Sequence, residues 1–77
     1  MRTHSRFAAL LLAYHEASGK SWRELARRCG LTSGYLHDVA KGRRNVRPAR
    51  ARAYAIALGA DPEAWVQAAL RDELDRT

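Results

Sequence analysis

Residues 22–41, WRELARRCGLTSGYLHDVAK, decide how this chain is read. Two short helical patterns lie in that window, broken at Cys29-Gly30-Leu31 and restarted at Thr32. Leu25, Cys29, Leu31, Leu36 and Val39 supply the apolar positions. Ala26 stands where the two helices would touch, and Gly30 stands where the turn needs a positive φ that glycine adopts without steric cost. A spacing that meets this many steric demands at once predicts two helices crossing steeply through a tight turn, the layout of a helix-turn-helix.

The pattern continues on both sides. Ser5 can cap a first helix whose Phe7, Leu10, Leu11 and Tyr14 fall at i, i+3, i+4 and i+7, with Ala8 and Leu12 widening the stripe and Gly19 as the stop. Ser21-Trp22-Arg23-Glu24 fits a capping box, in which the Ser oxygen and the Glu carboxylate each take a free N–H of the other's backbone. Thr32 caps the third helix, and Gly42 ends it. Pro48 suits the first turn of a fourth helix, with Ala51, Tyr54, Ala55 and Leu58 facing inward and Gly59 at its end. Asp61-Pro62-Glu63 opens a fifth, lined by Trp65, Val66, Ala69, Leu70 and Leu74. The expectation is an all-α fold of five helices, at about 5–17, 22–28, 33–41, 48–58 and 62–75, in one domain spanning 1–77. There is no strand signal and no internal repeat.

Seventy-seven residues bury one modest core. The apolar stretch 7–13 follows Arg2 and Arg6, but Tyr14-His15-Glu16 cuts it short and no A-x-A-like site follows, which argues against a signal peptide. No run approaches the roughly 18 residues of a membrane span. The single cysteine cannot form an internal disulfide, and a cytoplasmic location is the default for such a chain. The charge is lopsided: residues 1–60 hold 12 Lys or Arg against three acids, while residues 61–77 hold five acids against two Arg. Six cations and no acid fall between Lys41 and Arg52, a block suited to a polyanion.

The sequence resembles the lambda repressor/Cro-like (Xre-type) domains. The residues that carry the resemblance are Ser21-Trp22-Arg23-Glu24-Leu25-Ala26, Cys29-Gly30-Leu31-Thr32, Leu36, Val39, Gly42, Pro48 and Ala57-Leu58-Gly59, and it covers about residues 6–70. It implies a small prokaryotic or phage-encoded transcriptional regulator that docks its third helix in the major groove of double-stranded DNA and binds as a two-fold dimer. The chain departs from the family pattern in four places. Trp22 stands where Gln is common, Ser33-Gly34 opens the third helix, the loop after Gly42 is longer and richer in Arg, and the last helix is long.

On a duplex, the side chains at the start and exposed face of the third helix reach base edges. Here they are Ser33, Gly34, Tyr35, His37 and Asp38. Gly34 lets the backbone approach a base or a thymine methyl, or is a tolerated flaw in a first turn. Tyr35 can lie on a thymine methyl, donate to a phosphate, or pack against helix two. Asp38 can accept from a cytosine amino group, although pairing with Lys41 three residues on is the better single explanation. Phosphate contacts are assigned to Lys41, Arg43, Arg44, Asn45 and Arg47 after helix three, to Arg23 and Arg27 on helix two, and to Ser21, Trp22 and Thr32 at helix N-termini.

Recognition by so small a domain calls for a dimer. The candidate interface is helix five, with Trp65, Val66, Ala69, Leu70 and Leu74; Trp65 is expected to turn inward and close the core under helix one, with the other four toward the partner. Three readings stay open: a dimeric repressor or activator, an antitoxin-type module whose acidic C-terminal helix neutralises a basic toxin and whose DNA binding is autoregulatory, and a nonspecific nucleic-acid-binding protein. Cys29 reads as a buried thiol. His4 and His15 have no cluster around them to complete a metal site, and no catalytic set or cofactor loop is present, so neither an enzyme nor a cofactor is expected.

Overall fold

The computed structural model describes residues 5–76; Arg2, His4 and Thr77 lie outside them. Among the described residues there are five helices and no strand: α1 (Arg6–Ser18), α2 (Trp22–Cys29), α3 (Ser33–Ala40), α4 (Pro48–Leu58) and α5 (Pro62–Arg76). These bounds lie within a residue of the expected ones. α4 packs along α5 and α5 along α1, while α2 and α3 cross each other and rest on α4 and α1 respectively. Leu11, Leu25, Leu36 and Val39 lie fully buried at the centre. Tyr14 sends its hydroxyl to the Leu58 carbonyl, tying α1 to the end of α4.

Local chemistry explains each boundary. Gly30 takes φ 71°, the Leu31 N–H reaches back to the Ala26 carbonyl at 2.9 Å and the Gly30 N–H to Arg27 at 3.2 Å. This is the paired closure of a Schellman end, and it turns the chain sharply from α2 into α3. Ser21, Thr32 and Asp61 each accept a backbone N–H at the start of α2, α3 and α5. The expected capping box is only half formed. Ser21 Oγ accepts the Glu24 N–H at 3.2 Å, but the Glu24 carboxylate turns outward to Arg27 and Arg28, whose guanidinium groups attract it more strongly than a neutral backbone N–H does.

The start of α1 is capped from the far end of the chain. Ser5 Oγ accepts the Ala8 N–H at 2.9 Å and donates to Asp72 Oδ2 at 2.7 Å. Asp72, buried on α5, accepts the Arg6 N–H at 2.8 Å and the Phe7 N–H at 3.1 Å. The first three free N–H groups of α1 are thereby satisfied, and a carboxylate sits at the positive end of its dipole. Arg6 adds an ion pair to Asp75 at 3.7 Å. The length of α5 therefore has a structural purpose: its fourth turn reaches the N-terminus of α1.

Ala69 corrects the assigned dimer face, and Trp65, also named for that face, takes the core position expected of it. Trp65 is only 4% exposed and Ala69 fully covered. The Trp65 indole stands edge-on to Phe7, with centroids 5.3 Å apart, and to Tyr14, 6.0 Å apart. A large ring that closes the seam between α1 and α5 belongs to this chain's own core. Of the five residues assigned to the interface, Val66 is half-buried and Leu70 and Leu74 are exposed.

Candidate nucleic-acid interface

The turn after Gly30 aims one face of α3 outward, and the five residues assigned to base reading have different freedoms. Ser33 and Gly34 are exposed. Tyr35 is half-buried, with the Arg44 guanidinium over its ring at 5.2 Å from the centroid. His37 meets the edge of Trp22, with centroids 5.8 Å apart. Asp38 does not pair with Lys41 as expected. It takes the Arg43 guanidinium at 3.2 Å instead, because Gly42, at φ 80°, reverses the chain and returns Arg43 over the last turn of α3. The Arg43 N–H simultaneously reaches the Asp38 carbonyl at 2.9 Å.

Trp22, assigned to a phosphate, is a packing element between three helices. Its indole stacks flat on His15, with centroids 3.9 Å apart and an interplanar angle of 3°. With His37 on its other flank, the ring joins α1, α2 and α3. Buried against it, His15 Nδ1 finds no hydrogen-bond partner. A small cavity of about 210 Å³ opens here among Leu12, His15, Glu16, Trp22, His37, Ala40 and Lys41.

Exposed cations follow α3 in the chain. Lys41, Arg43, Arg44, Asn45 and Arg47 are all exposed after the C-terminal end of that helix. On α2, Arg23 is exposed and makes no ion pair among the described residues, whereas Arg27 and Arg28 share Glu24. Those two hydrogen bonds hold the Glu24 carboxyl below its ordinary value, and the bond to Glu24 raises the Arg27 guanidinium. The hydroxyls of Ser21 and Thr32 accept backbone N–H groups and keep their own protons for an outside acceptor.

A basic pocket follows. Leu31, Tyr35, Asn45, Val46, Arg47, Arg50 and Tyr54 line an open space of about 450 Å³ at the start of α4. Arg47 caps that helix without a side-chain hydrogen bond, and Arg47 and Arg50 both line the opening. Burial, with Tyr35 beside it, pushes the Tyr54 phenol above its ordinary value. Burial alone does the same to the half-buried Cys29 thiol, which favours its protonated form. Among the described residues no group of three or more His, Cys, Asp or Glu is placed to hold a metal ion.

Three features escape a reading of the sequence. Asp72 sits in an acidic tail with nothing to mark it as a cap. The His15–Trp22 stack joins residues on separate helices. Ile56, 61% exposed on α4, belongs to a helix so rich in Ala that its apolar pattern does not separate the two faces.

No helix among the described residues is long and apolar enough to cross a membrane. Comparison with curated proteins and with solved structures returns no match. A family model described as a helix-turn-helix domain matches residues 6–74, which takes in all of α2 and α3 and most of the chain. That description agrees with the geometry of the Ala26–Leu31 turn and with the lambda repressor/Cro-like pattern of the sequence. The chain belongs to the helix-turn-helix domain family, a small all-α DNA-binding fold.

Proposed function

We propose that this protein is a sequence-specific regulator of transcription that binds double-stranded DNA as a homodimer and acts as a repressor on a palindromic operator. The observation that carries the reading is the distribution of charge around α3. Lys41, Arg44 and Arg47 stand exposed in the segment that follows it, Arg23 is exposed on α2, the acid of α3 is tied to Arg43, and the acids of α5 lie on another helix. Base contacts fall to the exposed start of α3, with Ser33 and Gly34 foremost and Tyr35, His37 and Asp38 behind them. Phosphate contacts fall to Ser21, Arg23, Arg27, Thr32, Lys41, Arg43, Arg44, Asn45 and Arg47, with the basic pocket at the start of α4 as one seat.

One recognition helix reads only a few base pairs. A two-fold dimer doubles the site and sets half-sites about 34 Å apart, one helical turn. Its proposed interface is the outward side of α5, where Val66 is half-buried, Leu70 is 40% exposed and Leu74 65% exposed. The antitoxin reading draws on the acidic tail, but Asp72 and Asp75 are engaged with α1 inside the chain. That engagement favours the regulator, which we place in the cytoplasm as a prokaryotic or phage-encoded protein.

Selection from a random duplex library near physiological salt tests the proposal. An enriched palindrome with half-sites one turn apart is expected. Binding without enrichment that vanishes as salt rises would replace it with nonspecific nucleic-acid binding. Co-purification with a neighbouring gene product, alongside duplex binding, would replace it with the antitoxin reading, in which DNA binding is autoregulatory.

A further inference from the structure

Gly34 sits at the crest of α3. Leu36 and Val39 point into the core, and at 100° per residue Gly34 falls roughly 170° from their mean direction. Asp38 and Lys41 follow on the same meridian, one and two turns on. Asp38 is drawn aside to Arg43, and His37 beside it is held edge-on to Trp22. The foremost element of the exposed face is therefore a stretch of bare backbone.

Nothing in the fold requires glycine there. Gly34 is absent from the positive-φ glycines, which are Gly19, Gly30, Gly42 and Gly59. A Cβ built on it meets no atom within 4 Å. In an exposed helical position almost any other residue is a better helix former. The chain thus carries a residue that weakens α3 at the one point where a side chain would stand first between the helix and whatever α3 lies against.

We infer that Gly34 is the point of closest approach between α3 and the duplex, where the helix backbone lies against the 5-methyl group of a thymine in the major groove. This rests on the DNA-binding reading above. Thymine fits the chemistry because Gly34 offers no donor or acceptor beyond the backbone, and the thymine methyl is the apolar feature of the major-groove edge. A side chain at this position would hold the helix away from the groove floor. It would also lengthen the contacts that Ser33 and the flanking arginines make.

The test uses the tightest duplex selected by the full chain. Each thymine is replaced in turn by uracil, which removes only the methyl group. For the wild type, one replacement per half-site should weaken binding about fourfold, the value of one buried methyl group. Gly34→Ala should raise the unfolding midpoint by roughly 4 °C, from helix propensity, while weakening binding to the same duplex about tenfold or more. Gly34→Ser should weaken binding similarly, which separates the bulk of the side chain from its polarity. The inference is overturned if Gly34→Ala binds as tightly as the wild type, if it lowers the unfolding midpoint, or if no uracil replacement matters. A wild type that selects no sequence would instead refute the regulator reading itself, and the inference with it.

Discussion

Arg43 returns to Asp38 twice, through its backbone N–H to the Asp38 carbonyl at 2.9 Å and through its guanidinium to the Asp38 carboxylate at 3.2 Å. The first bond closes the end of α3, and the second neutralises the only acid on that helix. An exposed pair of this kind contributes at most about 1 kcal/mol to stability. Its larger effect is on the field that a duplex meets. Asp38→Asn should therefore leave the unfolding midpoint nearly unchanged and tighten binding to random duplexes severalfold at low salt. Fluorescence anisotropy on labelled duplexes checks this. Weakening confined to the selected duplex would show that Asp38 reads a base.

Arg43→Ala combined with Arg44→Ala should weaken binding to all duplexes alike. The slope of log affinity on log salt should flatten by about 0.9 for each phosphate that no longer meets a cation. Arg44 should account for more of this than Arg43, which already has a partner in Asp38. Titrations at several salt concentrations give the slope; an unchanged slope would remove these residues from the phosphate set.

Asp72→Ala leaves the Arg6 and Phe7 N–H groups without their acceptor and removes the charge at the start of α1. The expected cost is about 2 kcal/mol, or roughly 10 °C in the unfolding midpoint. DNA affinity per folded molecule should not change, since Asp72 lies on α5 and its bonds go to α1. Calorimetry with binding measured well below the midpoint separates the two effects.

Trp22→Gln places at this position the residue common in the lambda repressor/Cro-like pattern. The variant has neither the stack on His15 nor the edge-on packing with His37, at a cost of about 1–2 kcal/mol. Urea unfolding measures it. A variant as stable as the wild type would mean that the three-ring arrangement contributes little.

Glu24 sets an acid limit on α2. Its folded carboxyl lies below the ordinary value of 4.5 because Arg27 and Arg28 hydrogen-bond to it. A depressed carboxyl contributes stability that is present above its unfolded value and disappears as pH falls through the folded one. The difference in midpoint between wild type and Glu24→Gln should thus be full at about pH 6 and vanish in strong acid. Cys29 and Tyr54 act at the other end. Their folded values are raised, so their contribution is intact below about pH 9 and fades as the solution becomes more alkaline.

Much of this molecule is legible in its sequence. Glycines at 30, 42 and 59, caps at Ser5, Ser21, Thr32 and Asp61, and Pro48 and Pro62 at helix starts mark all five helices to within a residue. These are local effects, governed by backbone sterics and by hydrogen bonds spanning two to five residues, so neighbours in sequence suffice to specify them. The positions of Leu25, Ala26, Leu36 and Val39 in the core are legible for the same reason, since helical periodicity decides which side chains share a face.

What only the tertiary structure decided are the partnerships between groups that compete for more than one neighbour. Asp38 has Lys41 within helical reach and Arg43 across a turn, and the reversal at Gly42 selects Arg43. Glu24 could close its capping box but meets two guanidinium groups. Trp22 suits a surface phosphate contact by sequence alone, and the packing of α1 beside it makes it structural. Asp72 caps a helix 66 residues away in sequence only because α5 runs long enough to reach it. Each choice depends on distances set by how the helices pack against one another, and no local pattern encodes those distances.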